Sequence, residues 1–138
     1  MPAFETIIPV RFGHVDYAGI MYYPRFFDNF HGVFEDMFSQ RLGVPYMALL
    51  MDRRIGFPMV KIATEFRKPF RFGDPMRLRI ACTRVGKSSI DFLYHGHNGA
   101  EKEPSVEARA TVVTVNLDTL APIEIPPDIL AVLRALHD

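Results

Sequence analysis

Apolar and polar residues alternate along five stretches of the chain and recur at helical spacing along two. The longer helical stretch runs from residue 25 to about 40. There Phe26, Phe27, Phe30, Val33, Phe34, Met37 and Phe38 follow one another at three- and four-residue steps, the period of a helix with one apolar face. Arg25, Asp28, Asn29, Glu35 and Asp36 take much of the other side. Seven apolar residues in under four turns are more than a loosely held surface helix needs, so this helix is expected to be gripped by a curved sheet. Pro24 suits the first helical position, where its missing N–H costs nothing. Gly43 followed by Pro45 is the expected stop.

The strand pattern begins at residues 5–12, with Thr6, Ile8 and Val10 on one face. It resumes after a connection, with one helical turn expected near residues 47–51, as four runs at 59–70, 76–84, 88–96 and 105–117. Phe72-Gly73-Asp74-Pro75, Val85-Gly86-Lys87 and His97-Asn98-Gly99-Ala100 separate these runs as turns. Strands joined so closely make an antiparallel meander. A short amphipathic helix over 127–136 ends the pattern, with Ile129, Leu130, Val132, Leu133 and Leu136 inward. The expected fold class is α+β: one long apolar helix on a five-stranded antiparallel sheet, in a single domain covering residues 1–138. Such a sheet has an exposed edge and an uncovered face, and both invite self-association.

Composition narrows the function. The 138 residues are 49% hydrophobic, and sixteen Lys+Arg balance sixteen Asp+Glu. That balance lacks the basic footprint of a nucleic-acid binder. The single cysteine, Cys82, excludes an intramolecular disulfide and a Cys-rich metal site. It lies in phase with Leu78 and Ile80 and reads as a core residue. No signal-peptide pattern and no bilayer-length apolar run is present, so no membrane partner is expected and the expected location is the cytoplasm.

Candidate chemistry is concentrated between the first strand and the long helix. The aperiodic stretch from Gly13 to Tyr23 holds His14, Asp16 and Gly19, and it reads as a loop. A helix N-terminus offers unpaired N–H groups and partial positive charge, which can polarise a carbonyl. A carboxylate just upstream can attack that carbonyl or activate a water. Gly19 lets a ligand approach the backbone. The competing reading of Asp16 is a turn cap, a common role for Asp, and spacing leaves both readings open. His14 suggests a metal ligand, but His31, His95, His97 and His137 form no compact set with it, so neither metal nor cofactor is expected.

The run Arg11-Phe12-Gly13-His14-Val15-Asp16-Tyr17-Ala18-Gly19-Ile20-Met21-Tyr22-Tyr23-Pro24 resembles the active-site signature of the 4-hydroxybenzoyl-CoA thioesterase family. That signature is an Asp, two residues, a Gly and an aromatic pair entering the helix. The resemblance continues through Arg54-Ile55-Gly56-Phe57-Pro58-Met59-Val60, Phe66 to Asp74, Lys87-Ser88-Ser89-Ile90 and Ile123-Glu124-Ile125-Pro126. It implies a hotdog fold, hydrolysis of an acyl-CoA substrate, and a homodimer or homotetramer with sites between subunits. It also implies roles: Asp16 as the catalytic carboxylate, Tyr23 as the residue whose backbone N–H binds the thioester carbonyl, and Gly19 as the motif glycine.

His31 stands where the 4-hydroxybenzoyl branch carries an Asp that grips the substrate hydroxyl, which puts that specificity in doubt. It is either a substrate-binding group or a helix-flank histidine. Phe27 and Phe57 are expected beside it in the acyl pocket. Arg84, Lys87 and Ser88 flank a turn and are candidates for the CoA phosphates, against the alternative of a solvated basic rim. Arg67, Lys68 and Arg71 lie near a second turn. Two other functions compete with hydrolysis. One is a hotdog hydratase or dehydratase, for which His14 and Asp16 make a poorly matched His–acid pair. The other is a non-catalytic acyl-thioester binding module.

Overall fold

A computed structural model describes residues 3–137. The first strand, β1, is Phe4–Pro9, and a 3-10 turn at Phe12–His14 follows. Helix α1 then runs Tyr23–Leu42, two residues longer at each end than its apolar period requires. Tyr22 is its N-cap, and it ends at Gly43 with φ 77°, a left-handed conformation that glycine adopts without strain. A short helix α2 spans Tyr46–Met51. Strands β2 (Ile55–Gly56), β3 (Met59–Phe66), β4 (Pro75–Val85), β5 (Ser89–Asn98), β6 (Val106–Val113) and β7 (Val115–Asn116) come next, and α3 (Pro127–Ala135) closes the chain.

Five strands form one antiparallel sheet in the order β1-β4-β5-β6-β3, and β2 pairs with β7 in a separate ribbon. Register can be followed across the sheet as one row: Phe4 faces Ile80, Ile80 faces Tyr94, Tyr94 faces Ala108, and Ala108 faces Thr64. Of these, Phe4, Ile80, Tyr94 and Ala108 are buried in the core that α1 covers. Alanines at 108 and 110 leave room beneath the helix for rings, so Phe30 packs on Tyr94 at 4.9 Å between centroids. Of the seven residues in the apolar stripe, Phe26, Phe30, Val33, Phe34, Met37 and Phe38 are buried, and Phe27 is half-buried. Full burial of such a side chain contributes about 1.5–3 kcal/mol. This is the hotdog arrangement that the sequence led us to expect.

Two expected strands are shorter in the structure. The run at 59–70 leaves the sheet after Phe66, because the N–H groups of Arg67 and Lys68 both turn to the Ser105 carbonyl. The run at 105–117 breaks at Thr114, whose N–H bonds the Ser88 carbonyl. Cys82 packs against the core, where burial pushes its thiol up. That keeps it protonated and a poor nucleophile. The sheet face away from α1 is charged, with Arg77 and Arg79 around Glu5, His95 on Glu107, and Arg84 on Asp91. Strand β3 lies at one edge of the sheet, and its Met59, Val60 and Phe66 are exposed. Among the described residues no helix is long and apolar enough to cross a membrane.

Candidate active site

The loop before α1 is built by its own backbone. Arg11 donates its N–H to His14 Nδ1 at 3.1 Å, and His14 donates its N–H to the Arg11 carbonyl at 2.9 Å. His14 therefore serves the turn through Nδ1, with that nitrogen acting as acceptor. The chain then folds into a tight hairpin. Asp16 N–H donates to the Ile20 carbonyl at 3.0 Å, Gly19 N–H to the Asp16 carbonyl at 2.9 Å, and Tyr22 N–H to the His14 carbonyl at 2.9 Å. Gly19 takes φ 81° at the tip, which a residue with a Cβ adopts only at a cost. Met21 N–H donates to the Phe70 carbonyl at 2.7 Å and fixes the hairpin to the body of the protein.

Asp16 caps its own turn and also faces a cavity. Its Oδ1 accepts the Ala18 N–H at 2.8 Å, the local bond of an Asp-initiated turn. Its carboxylate is nevertheless exposed and lines a cavity of about 410 Å³. Met21, Tyr23, Phe26, Phe66 and Phe70 supply the apolar walls. Tyr23 is the first residue of α1, and Pro24 follows it without an N–H. Arg25 N–H is taken by the Tyr22 carbonyl at 2.9 Å. The Tyr23 N–H has no acceptor among the described residues, so the start of α1 presents one free donor beside the Asp16 cavity. Arg67 and Lys68 border the same cavity. Arg67 reaches Glu65 at 3.3 Å and Glu107 at 3.7 Å, and Lys68 lies 3.8 Å from Glu101.

Phe27, His31 and Phe57 come together in a second cavity of about 400 Å³. Phe30, Phe34 and Tyr94 complete its aromatic lining. His31 stacks on Phe34 with 5.6 Å between rings, and its Nε2 lies 3.0 Å from Glu35 one turn further along. Tyr94 was not singled out by the sequence pattern. The available signal was its phase with Ile90 and Phe92 on the core-facing side of a strand, where a hydroxyl is out of place unless it is paired.

Arg84, Lys87 and Ser88 are not brought to Asp16 within one chain. They lie at the β4–β5 turn, at the Met59 end of the sheet, whereas the Asp16 cavity is at the Phe66 end. The intervening length of β5 is roughly 23 Å at the usual rise per residue. Arg84 bonds Asp91 through Nε at 2.8 Å and Ser89 Oγ through Nη2 at 3.0 Å. The Arg84 guanidinium holds the Asp91 carboxyl below the usual carboxylate range, against the opposing effect of burial and with help from the Thr111 hydroxyl. The Lys87 and Ser88 carbonyls accept the N–H groups of Ile125 and Thr114. Among the described residues, no group of three or more His, Cys, Asp or Glu side chains converges as a metal site.

A carboxylate on a tight glycine turn, ahead of a helix start with a free N–H, can attack or hydrate an acyl carbon. The sequence profile of the Thioesterase-like superfamily matches residues 10–133. The chain belongs to that superfamily. Among its relatives is a 1,4-dihydroxy-2-naphthoyl-CoA hydrolase from Synechococcus elongatus, 26% identical over 98 residues that cover 68% of this chain and 70% of the relative. A gentisyl-coenzyme A thioesterase of known structure is 26% identical with a TM-score of 0.80, covering 92% of this chain and 99% of that one. A 1,4-dihydroxy-2-naphthoyl-CoA thioesterase from Synechocystis superposes with a TM-score of 0.86 at 17% identity, covering 96% of each chain. At that identity the likeness establishes the thioesterase fold alone.

Proposed function

We propose that this thioesterase-superfamily protein hydrolyses acyl-CoA thioesters with an aromatic acyl group, 4-hydroxybenzoyl-CoA being one candidate, to the free acid and CoA. The observation that carries the reading is the pairing of Asp16, one carboxylate oxygen of which has no hydrogen bond among the described residues, with the free Tyr23 N–H beside one cavity. The thioester carbonyl accepts the Tyr23 N–H as negative charge develops on its oxygen. Asp16 either attacks the carbonyl carbon or takes a proton from the water that does. The C–S bond breaks, the thiolate takes a proton, and water supplies the hydroxyl of the product acid. Gly19 shapes the turn that sets Asp16 in place.

The acyl cavity of this proposal is the aromatic one, with Phe27, Phe57 and His31 around the ring and His31 positioned by Glu35. A dimer formed through the free β3 edge explains why two cavities exist. The midpoint of β3 falls between Ile62 and Ala63, so a twofold pairing of two β3 edges sets Met59 of one copy opposite Phe66 of the other. Phe66 lines the Asp16 cavity and Met59 lines the aromatic one. Each Asp16 then adjoins an aromatic cavity of the second copy. The same operation turns the second copy's Arg84, Lys87 and Ser88 towards the Asp16 end, where the phosphates of CoA lie in this reading. The dimer is thus the catalytic unit, one domain per subunit, and two dimers make a homotetramer. Acyl-CoA is a soluble metabolite, and we place the enzyme in the cytoplasm.

A thiol-release screen over aromatic, branched and straight-chain acyl-CoAs tests this function. Turnover concentrated on aryl-CoAs is expected. Binding of acyl-CoA without thiol release would favour the non-catalytic module, and release of a hydrated acyl-CoA would favour the hydratase.

A further inference from the structure

Tyr94 is 2% exposed, lines the aromatic cavity, and has no hydrogen bond to any described residue. Its ring is fixed, packed on Phe30 at 4.9 Å and near Phe92 at 6.5 Å. Its hydroxyl has no partner among the described residues, and a polar group on an apolar cavity wall is unfavourable unless something pairs with it. The position itself asks only for an aromatic ring, which Phe would supply, as its neighbour Phe92 does two residues earlier. The hydroxyl is therefore an addition to a cavity otherwise walled by Phe27, Phe30, Phe34 and Phe57, and the native fold leaves it for something that enters. Burial raises the phenol well above its ordinary range, so Tyr94 stays protonated and presents a donor.

A second polar group, the imidazole of His31, lies on the helical side of the same cavity. Tyr46 packs edge-on to His31 at 6.3 Å. Its own phenol is pushed up to about 12, by burial first and then by the charge of Glu35. A cavity for a plain hydrocarbon acyl group would gain nothing from this set.

We propose that Tyr94 is a specificity-determining residue whose hydroxyl donates a hydrogen bond to an oxygen substituent on the ring of the bound acyl group. The inference rests on the functional reading above, in which the acyl group occupies the aromatic cavity. It goes further by naming the residue that reads a ring oxygen. A cavity whose polar group pairs with the substrate discriminates against an analogue lacking that oxygen, because the protein group is then left unpaired.

The test compares three acyl groups of similar size and different polarity: 4-hydroxybenzoyl, 4-methylbenzoyl and benzoyl. With the purified full-length protein, kcat/KM for 4-hydroxybenzoyl-CoA should exceed that for 4-methylbenzoyl-CoA. In Tyr94→Phe, which keeps the ring, the value for 4-hydroxybenzoyl-CoA should fall about 10–100-fold, the cost of leaving the substrate hydroxyl unpaired in the cavity. The value for benzoyl-CoA should stay within about threefold. Calorimetric binding of the free acids, 4-hydroxybenzoate and 4-methylbenzoate, gives a readout that does not depend on turnover. The hydroxy acid should bind about tenfold more weakly to the variant, with the methyl acid unchanged. If no acyl-CoA is hydrolysed but the acids show this pattern, the catalytic reading fails while the role of Tyr94 stands. Equal losses for all three acyl groups, or no preference for the hydroxy acid in the unaltered protein, would overturn the proposal. The second comparison needs no variant, so it decides even if Tyr94→Phe folds poorly.

Discussion

Phe26 and Phe30 lie one helical turn apart with ring centroids separated by 6.5 Å, yet they line different cavities. Phe26 packs edge-on against Phe66 at 5.1 Å on the Asp16 side. Phe30 packs on Tyr94 on the aromatic side. One helix face thus borders both cavities, and both open beside the same edge strand. In the proposed dimer, that edge joins the two sites across the twofold.

The edge can be tested directly. Val60 is 59% exposed on β3, and a charge there opposes edge pairing. Val60→Lys should shift the protein from dimer or tetramer towards monomer in light scattering, and specific activity should fall with the dimer population. A wild-type protein at monomer mass under dilute native conditions would count against the composite site.

His31 is an exposed helix residue whose intrachain partner is Glu35 at i,i+4. Such a pair is worth about 0.3–0.5 kcal/mol, so His31→Ala should leave stability nearly unchanged in denaturant titration. The ranking of acyl-CoA substrates should change instead. An unchanged ranking would leave His31 without a part in acyl recognition.

Gly96 sits in β5 with Val106 beside it, and a Cβ at this position would lie 2.6 Å from Val106 Cγ1. Val106 is fully buried and β-branched, so it has little room to yield. Gly96→Ala should cost about 1–3 kcal/mol, measured as a lower denaturation midpoint.

His97 is buried and its Nε2 has no hydrogen-bond partner. Burial first, and then Arg77 beside it, hold the imidazole below its ordinary range, against the opposing pull of the Glu101 carbonyl that accepts its Nδ1–H. The unfolded chain takes up this proton near pH 6.5 and the folded chain only at lower pH. Between those values the unfolded state binds more protons, so stability falls as pH falls. Denaturant titrations below about pH 6.5 should show this loss, and His97→Gln should flatten it.

The long helix was legible because burial of one face leaves a period in the sequence, and Phe26 to Phe38 carry it without interruption. The strands were legible for the same reason, but their ends were not. The departures at Arg67 and Thr114 are set by backbone bonds to Ser105 and Ser88, which no local pattern encodes. The ribbon of β2 and β7, only two residues on each strand, is too short to show alternation. At the site, Asp16 and Gly19 were legible as a loop with chemistry, whereas the division into two cavities was not. Phe26 and Phe27 are neighbours in sequence, and the 100° step between them on a helix sends them to different cavities. Tyr94 escaped notice because a core-facing tyrosine reads as packing until its hydroxyl is found without a partner.

The central claim is that Asp16 carries the chemistry, and Asp16→Asn tests it most directly. Asparagine keeps an oxygen for the Ala18 N–H, so the turn survives. It removes the charge needed to attack an acyl carbon or to take a proton from water. Thiol release from the best aryl-CoA should fall about 10²–10⁴-fold, while a non-hydrolysable acyl-CoA analogue should bind within about threefold of wild type. Hydrolysis by the variant within about threefold of wild type would contradict the account and leave Asp16 as a turn residue.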